Sequence, residues 1–402
     1  MWKFIRYFVF AIFILASLSG CGKQKQNIPV VMTETSPVST VATQAVIPSD
    51  SSATEPETAP ATVPDEAVTQ HIFQEIDENV RVDAELTVPS KEAYSTYTLK
   101  MVDSDPDRLF GIFCPEGYGS YTHSDRGYHR YFEENGKKLV VQEDSISYSA
   151  YNIELGENPM QDVGTLMSYY TKEHPQTEPH DLSFMAATEM EPFCKNIFNQ
   201  LGIAFEPKLE RCVTLTGQEI MDFQNELFGE NRSEREMMPS PTTLTTATDT
   251  CYLEFSFTYD GLPLLGSEEP GVSSAVNMMP TPSVTATMMI NADGIQDCDV
   301  YFPCTIESES QPQTILPPDE AVAALKDKYG LEIHTSTIEF SNAWLEYIPV
   351  VSEDSVTLTP YWCFVTPNEW AEDSNGASGW YSRYSNAQRF NAFTGKDLTY
   401  GG

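Results

Sequence analysis

The chain predicts an α+β fold of antiparallel sheets with a few packed helices, preceded by a signal peptide and a disordered tether. Three observations carry that expectation. Apolar and polar residues alternate through several segments, most plainly Val80, Val82, Ala84, Leu86 and Val88 against Arg81, Asp83, Glu85 and Thr87. This is the period of a strand with one buried and one wet face. Asn135-Gly136, Asp260-Gly261 and Asp293-Gly294 stand between such segments, where two residues can reverse a hairpin. Helical spacing is confined to a few stretches, so hairpins rather than βαβ units should build the sheets.

The elements follow in order. Residues 1–20 read as an export signal: Lys3 and Arg6 form a positive flank, and the apolar run 7–16 is too short to span a bilayer comfortably. The stretch Leu18-Ser19-Gly20-Cys21 resembles that of bacterial lipoprotein precursors. The resemblance implies cleavage before Cys21 and a diacylglyceryl group on its thiol, and two acyl chains suffice to hold a protein at a membrane. From 21 to 70 there is no aromatic residue, and six prolines punctuate a Thr/Ser/Ala/Val mixture that cannot build a core. As a coil this tether would span roughly 40 Å.

A β-rich domain is expected over 71–181, with strands at 80–88, 94–102, 127–132, 138–142 and 145–153 and a helix near 160–172. An α+β region is expected over 182–402, divisible into 182–312 and 313–402. Its helices are 184–201, ending at Gly202 and bent or restarted at Pro192; 216–227, opened by a capping box of Thr216 and Glu219; and 318–329, with proline at the start and Gly330 at the end. Its strands are 251–259, 284–290, 295–306, 337–351, 356–366 and a closing segment at 389–398.

Composition excludes one class of partner. The chain carries 23 Lys and Arg against 59 Asp and Glu, a net charge of −36, and losing Lys3 and Arg6 with the signal makes it −38. Such a surface repels nucleic acid and anionic headgroups alike, so the folded part should stand away from the bilayer.

Beyond Cys21 the cysteines are 114, 194, 212, 251, 298, 304 and 363, an odd number without close pairing, which is not a disulfide framework. Cys298 and Cys304 are expected on one face of one strand, too far apart to bridge. A bridge such as Cys194 with Cys212 stays open.

Little in the chain points to catalysis. The six histidines form no ligand-spaced pair, so neither a metal nor another cofactor is expected. No Gly-x-Ser-x-Gly elbow occurs. Asp103, Asp105 and Asp107 fail as a calcium loop, since Arg108 stands where glycine is required, and are expected in an exposed turn. Asp293 is expected in a hairpin turn and Asp297 and Asp299 on a wet strand face. A glycosidase pair cannot be picked by spacing from 59 acids. Catalytic residues are therefore expected to be none. Aromatic residues give the better signal. Trp344, Trp362, Trp370 and Trp380 crowd the last sixty or so positions. Trp362 is expected in the core. Trp370, Trp380, Tyr381 and Tyr384 lie in a Gly/Ser/Asn/Asp-rich stretch and are the candidate partner-binding aromatics, or else a lid over the last sheet.

The succession of strand, Asp260-Gly261-Leu262-Pro263, strand, Asp293-Gly294-Ile295, strand, then the helix opened by Pro318-Asp319-Glu320-Ala321-Val322 resembles PepSY-type and YycH/YycI-like extracytoplasmic modules over roughly 183–402. It is also similar to clostridial surface lipoproteins without assigned activity. The resemblance implies a non-catalytic module that binds another protein. The expected function is thus a lipid-anchored protein on the outer face of the cell membrane, binding a protein partner in envelope regulation or assembly. The alternatives are an importer's substrate-binding lipoprotein and a surface glycan or peptide hydrolase.

Overall fold

A computed structural model of the chain describes residues 68–88, 91–126, 129–134, 136–150, 163, 164, 166, 167, 169, 170, 174, 177–228, 244, 246–265, 283–330, 336–352, 355–367 and 384–398. The signal, Cys21 and the tether to residue 67 lie outside them.

The first strands are β1 (Val68–Asp77), β2 (Val80–Val88), β3 (Ala93–Tyr94) and β4 (Tyr97–Met101), followed by helix α1 (Pro106–Phe113), β5 (Thr122–Arg126), β6 (His129–Glu134), β7 (Lys137–Val141) and β8 (Ser145–Ala150). Next come α2 (Ala187–Leu201), β9 (Glu206–Leu215), α3 (Gly217–Phe228), β10 (Thr250–Tyr259), β11 (Leu262–Pro263), β12 (Thr285–Asn291) and β13 (Gly294–Tyr301). The chain continues through β14 (Cys304–Glu309), β15 (Gln313–Thr314), α4 (Pro318–Tyr329), β16 (Ile338–Val351), β17 (Val356–Pro367) and β18 (Tyr384–Asn391). Of the helix expected near 160–172, Val163, Gly164, Leu166, Met167, Tyr169 and Tyr170 are described and helical.

Two large sheets result, and the fold is α+β as expected. One runs β1-β2-β16-β17-β4-β14, with β18 beside the C-terminal half of β17; the other runs β11-β10-β12-β13-β8-β7-β6-β5, with β9 on the other side of β10. Among the described residues the ladders are antiparallel except β2 with β16. Strands from both sides of residue 181 share both sheets: β8 pairs β13, and β4 pairs β14 and β17. The two expected ordered regions therefore contribute to one core, with Leu86, Phe110, Phe198, Phe255, Val322 and Phe340 all buried in it.

Local chemistry explains where the expected elements shift. The single strand expected over 295–306 is two strands in different sheets. Phe302 takes a left-handed φ of 53° and is followed by Pro303, so β13 ends and the chain crosses to pair β14 with β4. The Phe302 N–H donates to the Asp144 carbonyl at 2.6 Å and the Pro303 carbonyl accepts from Val102 N–H at 3.0 Å, fixing the crossing on both sides. Cys298 and Cys304 are both buried, but on strands of different sheets.

The acidic turn at 103–107 is the start of a helix. Asp105 Oδ2 accepts the Arg108 N–H at 3.0 Å as N-cap, and Pro106 takes the first helical position, where its missing N–H is no loss. The capping box of α3 forms as expected: Glu219 Oε2 accepts the Thr216 N–H at 2.7 Å, and Thr216 Oγ1 accepts the Glu219 N–H at 3.3 Å. Pro192 sits inside α2 without ending it; Gly202, at φ 82°, does.

Tyrosines join the two sheets. Tyr97 of β4, Tyr259 of β10 and Tyr347 of β16 meet edge to face at 4.8–6.4 Å between ring centroids. Tyr347 Oη donates to the Ser95 carbonyl at 3.1 Å, and Tyr97 Oη donates to Asp260 Oδ2 at 3.2 Å. Burial, reinforced by the charges of Asp260 and Glu309, pushes the Tyr97 hydroxyl up to about 12, so it stays a donor.

Candidate functional site

Helix α2 and strand β9 enclose a groove of about 400 Å³, lined by Glu191 and Lys195 of the helix, Glu206, Pro207, Lys208 and Leu209 of the strand, and Thr258 of β10. The helix presents that face because Met190, Cys194, Ile197, Phe198 and Leu201 recur at helical spacing and are buried. Glu191 and Lys195 fall outside this stripe and pair with each other at 2.9 Å. On the strand side Lys208 pairs with Glu210 at 2.9 Å. The groove is thus open and lined mostly by polar and charged groups, with Pro207 and Leu209 as its apolar members.

Strand β9 is an edge. Among the described residues its only strand partner is β10. Pro207 has no N–H to donate, which suits an edge and would weaken a central strand. The outer side of such a strand offers backbone N–H and C=O groups to another chain. An extended segment laid along it would take ladder hydrogen bonds from β9 and side-chain contacts from α2, a recurring mode of peptide recognition.

A second feature modifies an expectation. Asp293 lies in the β12–β13 turn, where its N–H donates to Asn291 Oδ1 at 2.8 Å, but Asp297 and Asp299 are half-buried and not on a fully wet face. They share the sheet face that also carries Tyr252 and Glu254. Tyr252 Oη donates to Glu254 Oε1 at 3.1 Å, and Arg211 Nη1 lies 3.3 Å from Glu254 Oε2. Burial, then the Asp299 charge, raises the Asp297 carboxyl well above the usual carboxylate range. Burial raises Asp299 as well, against a hydrogen bond from Ser147. As i, i+2 neighbours on a strand, their backbones stand roughly 6.7 Å apart.

The described histidines and tyrosines of 118–131 pack against aromatic rings. His123 stacks on Phe132 at 4.8 Å and its Nε2 lies 2.9 Å from Asp125; Tyr118 and Tyr121 stack on Phe110 at 5.3 and 5.4 Å. Among the described residues no three His, Cys, Asp or Glu side chains are grouped to hold a metal ion.

Of the tryptophans, Trp362 is in the core as expected, its Nε1–H donating to the Leu316 carbonyl at 3.0 Å. Trp344 is half-buried and donates to Glu346 Oε2 at 3.2 Å. Glu346 is 2% exposed and its Oε1 lies 2.6 Å from Arg389 Nε, a buried ion pair between β16 and β18 that sequence reading did not anticipate. Trp370, Trp380 and Tyr381 lie outside the described residues, between β17 and β18 in the chain, and Tyr384 opens β18 with its backbone opposite Pro367. The α2–β9 groove was missed too, although a proline within an alternating segment was a signal for an edge strand.

Among the described residues no helix is long and apolar enough to cross a membrane. No protein-family model and no curated protein matches the chain. Among solved structures it is similar to an uncharacterized protein from Eubacterium rectale ATCC 33656, with 15% identity over 84% of this chain and 96% of that one and a TM-score of 0.49.

Proposed function

We propose that the protein is a non-catalytic, lipid-anchored surface protein, held at the outer face of the cell membrane through Cys21, that binds a protein partner in envelope regulation or assembly. The observation that carries the binding role is the edge of β9 beside α2, unpaired on its outer side among the described residues, with a groove of about 400 Å³ between them. The Leu18-to-Cys21 stretch supports the anchor, and the net charge of −36 supports a body held off the headgroups. The long proline-rich segment between them gives reach, so the partner would stand some distance above the bilayer.

The experiment is capture from crosslinked cells with two variants. Lys195→Glu/Lys208→Glu reverses the two cations lining the groove and should lower recovery of the partner at least about tenfold, roughly 1.4 kcal/mol. Cys21→Ala should move the protein from the membrane fraction to the medium while the isolated body still captures the partner. Undiminished capture by the double variant would exclude the groove, and membrane retention of Cys21→Ala would exclude the anchor.

One observation favours a second reading, a surface glycan hydrolase: two neighbouring half-buried carboxyls, both raised by burial and Asp297 further by the Asp299 charge, are what such chemistry uses. Glycan cleavage by the purified protein, abolished by both Asp297→Asn and Asp299→Asn, would establish it; no turnover would retire it.

A further inference from the structure

Strands β9 and β10 hold a pair of thiols. Cys212 of β9 and Cys251 of β10 have their sulfurs 3.8 Å apart, unbonded. In the ladder Cys251 stands opposite Thr214 and Cys212 opposite Leu253, so the two are diagonal neighbours on adjacent strands. Cys251 is fully buried, whereas Cys212 is half-buried and so the more exposed of the two. Cys194, the bridging partner left open by the sequence, lies on α2 and is also fully buried.

We propose that Cys212 and Cys251 are a dithiol site that closes to an intrachain disulfide by exchange with a low-molecular-weight disulfide, Cys212 attacking first. The Cys212 thiolate displaces one thiolate from the reagent and forms a mixed disulfide with its other half. Cys251 then gives up its proton and attacks the Cys212 sulfur, and the second half leaves as thiol. Two protein thiols are oxidised and one reagent disulfide is reduced to two thiols. The sulfurs must close by about 1.8 Å to reach bonding distance, and because diagonal neighbours stand roughly 7–8 Å apart, closure also takes a small local shift of the two strands.

The order of attack follows from the surroundings. Either sulfur can donate to the other, and burial, complete at Cys251 and partial at Cys212, disfavours the Cys251 thiolate more than the Cys212 thiolate. Burial, with the Cys212 and Glu191 charges, likewise keeps Cys194 protonated. The thiolate is the nucleophile, so reaction begins at Cys212. Closure would tie the edge strand that forms one wall of the groove to the strand behind it.

The test is native incubation of the full chain with oxidised glutathione, followed by peptide mapping. Cys212 should react at least about tenfold faster than any other thiol, and the product should be a Cys212–Cys251 crosslinked peptide without retained glutathione. Cys251→Ala should instead trap one glutathionyl group on Cys212. Mapping of the unaltered chain decides the matter even if that variant fails to fold. A Cys194–Cys212 crosslink, a stable glutathione adduct on the unaltered chain, or an unreactive Cys212 would each overturn the proposal.

Discussion

Arg389→Met is expected to destabilise the protein by about 3–5 kcal/mol, the range for breaking a buried ion pair from one side. The reason lies in the unequal burial of the partners. Glu346 is 2% exposed and Arg389 12%, with 2.6 Å between Nε and Oε1. Removing the guanidinium leaves the carboxylate in the same dry site, with the Trp344 indole N–H still donating to it. Little water can replace what is lost. In a chain of this size the unfolding midpoint should fall by roughly 4–7 °C. Glu346→Leu/Arg389→Met, which removes both charges, should recover most of the loss, because paired apolar replacements are often neutral. Chemical denaturation of the three proteins checks this. A single-variant cost below about 1 kcal/mol would place the pair in the class of exposed ion pairs.

Asp297→Asn is expected to act in the opposite direction, stabilising the protein at pH 7.5 by about 1–3 kcal/mol, the scale for relieving a charged group held away from water. The native carboxyl, raised by burial and by Asp299, binds its proton more tightly than in the unfolded chain, where its ordinary value is 3.8. Its contribution to stability is therefore complete below that ordinary value and is lost as pH rises through the native one. Wild type should weaken from about pH 4 toward neutrality at this site, while Asp297→Asn should follow a flatter curve and converge with wild type in acid. Denaturation midpoints at pH 4, 6 and 7.5 measure the difference. A variant less stable at every pH would show that the carboxylate is stabilised by the fold. Retention of so costly a pair is itself a reason to assay it for chemistry.

What the sequence made legible depended on how local its signals are. The hairpins at Asp260-Gly261 and Asp293-Gly294, the Thr216–Glu219 capping box and the α4 helix between Pro318 and Gly330 each rest on residues a few positions apart, and all form. The chain's passage between sheets rests on Phe302, whose left-handed φ nothing in an apolar alternating run announces. Helix α1 was hidden because Asp105 and Pro106 suit a turn and a helix start equally well. Asp297 and Asp299 alternate with buried Cys298 and Val300, which predicts their sheet face correctly. Alternation cannot reveal whether that face is itself covered. The groove, the dithiol and the Glu346–Arg389 pair each join residues from at least two elements, and such meetings are properties of the folded chain.

In the proposed role the edge of β9 beside α2 receives an extended segment of a protein partner. A photo-crosslinking residue placed at Lys208 in cells carrying the anchored protein tests it most directly, with the same residue at Phe73, an exposed position on β1, as control. One extracytoplasmic protein crosslinked from Lys208 and absent from Phe73, with the attachment mapping to a single short segment of that protein, is the predicted result. Identical products from both positions, or none from Lys208, would contradict it.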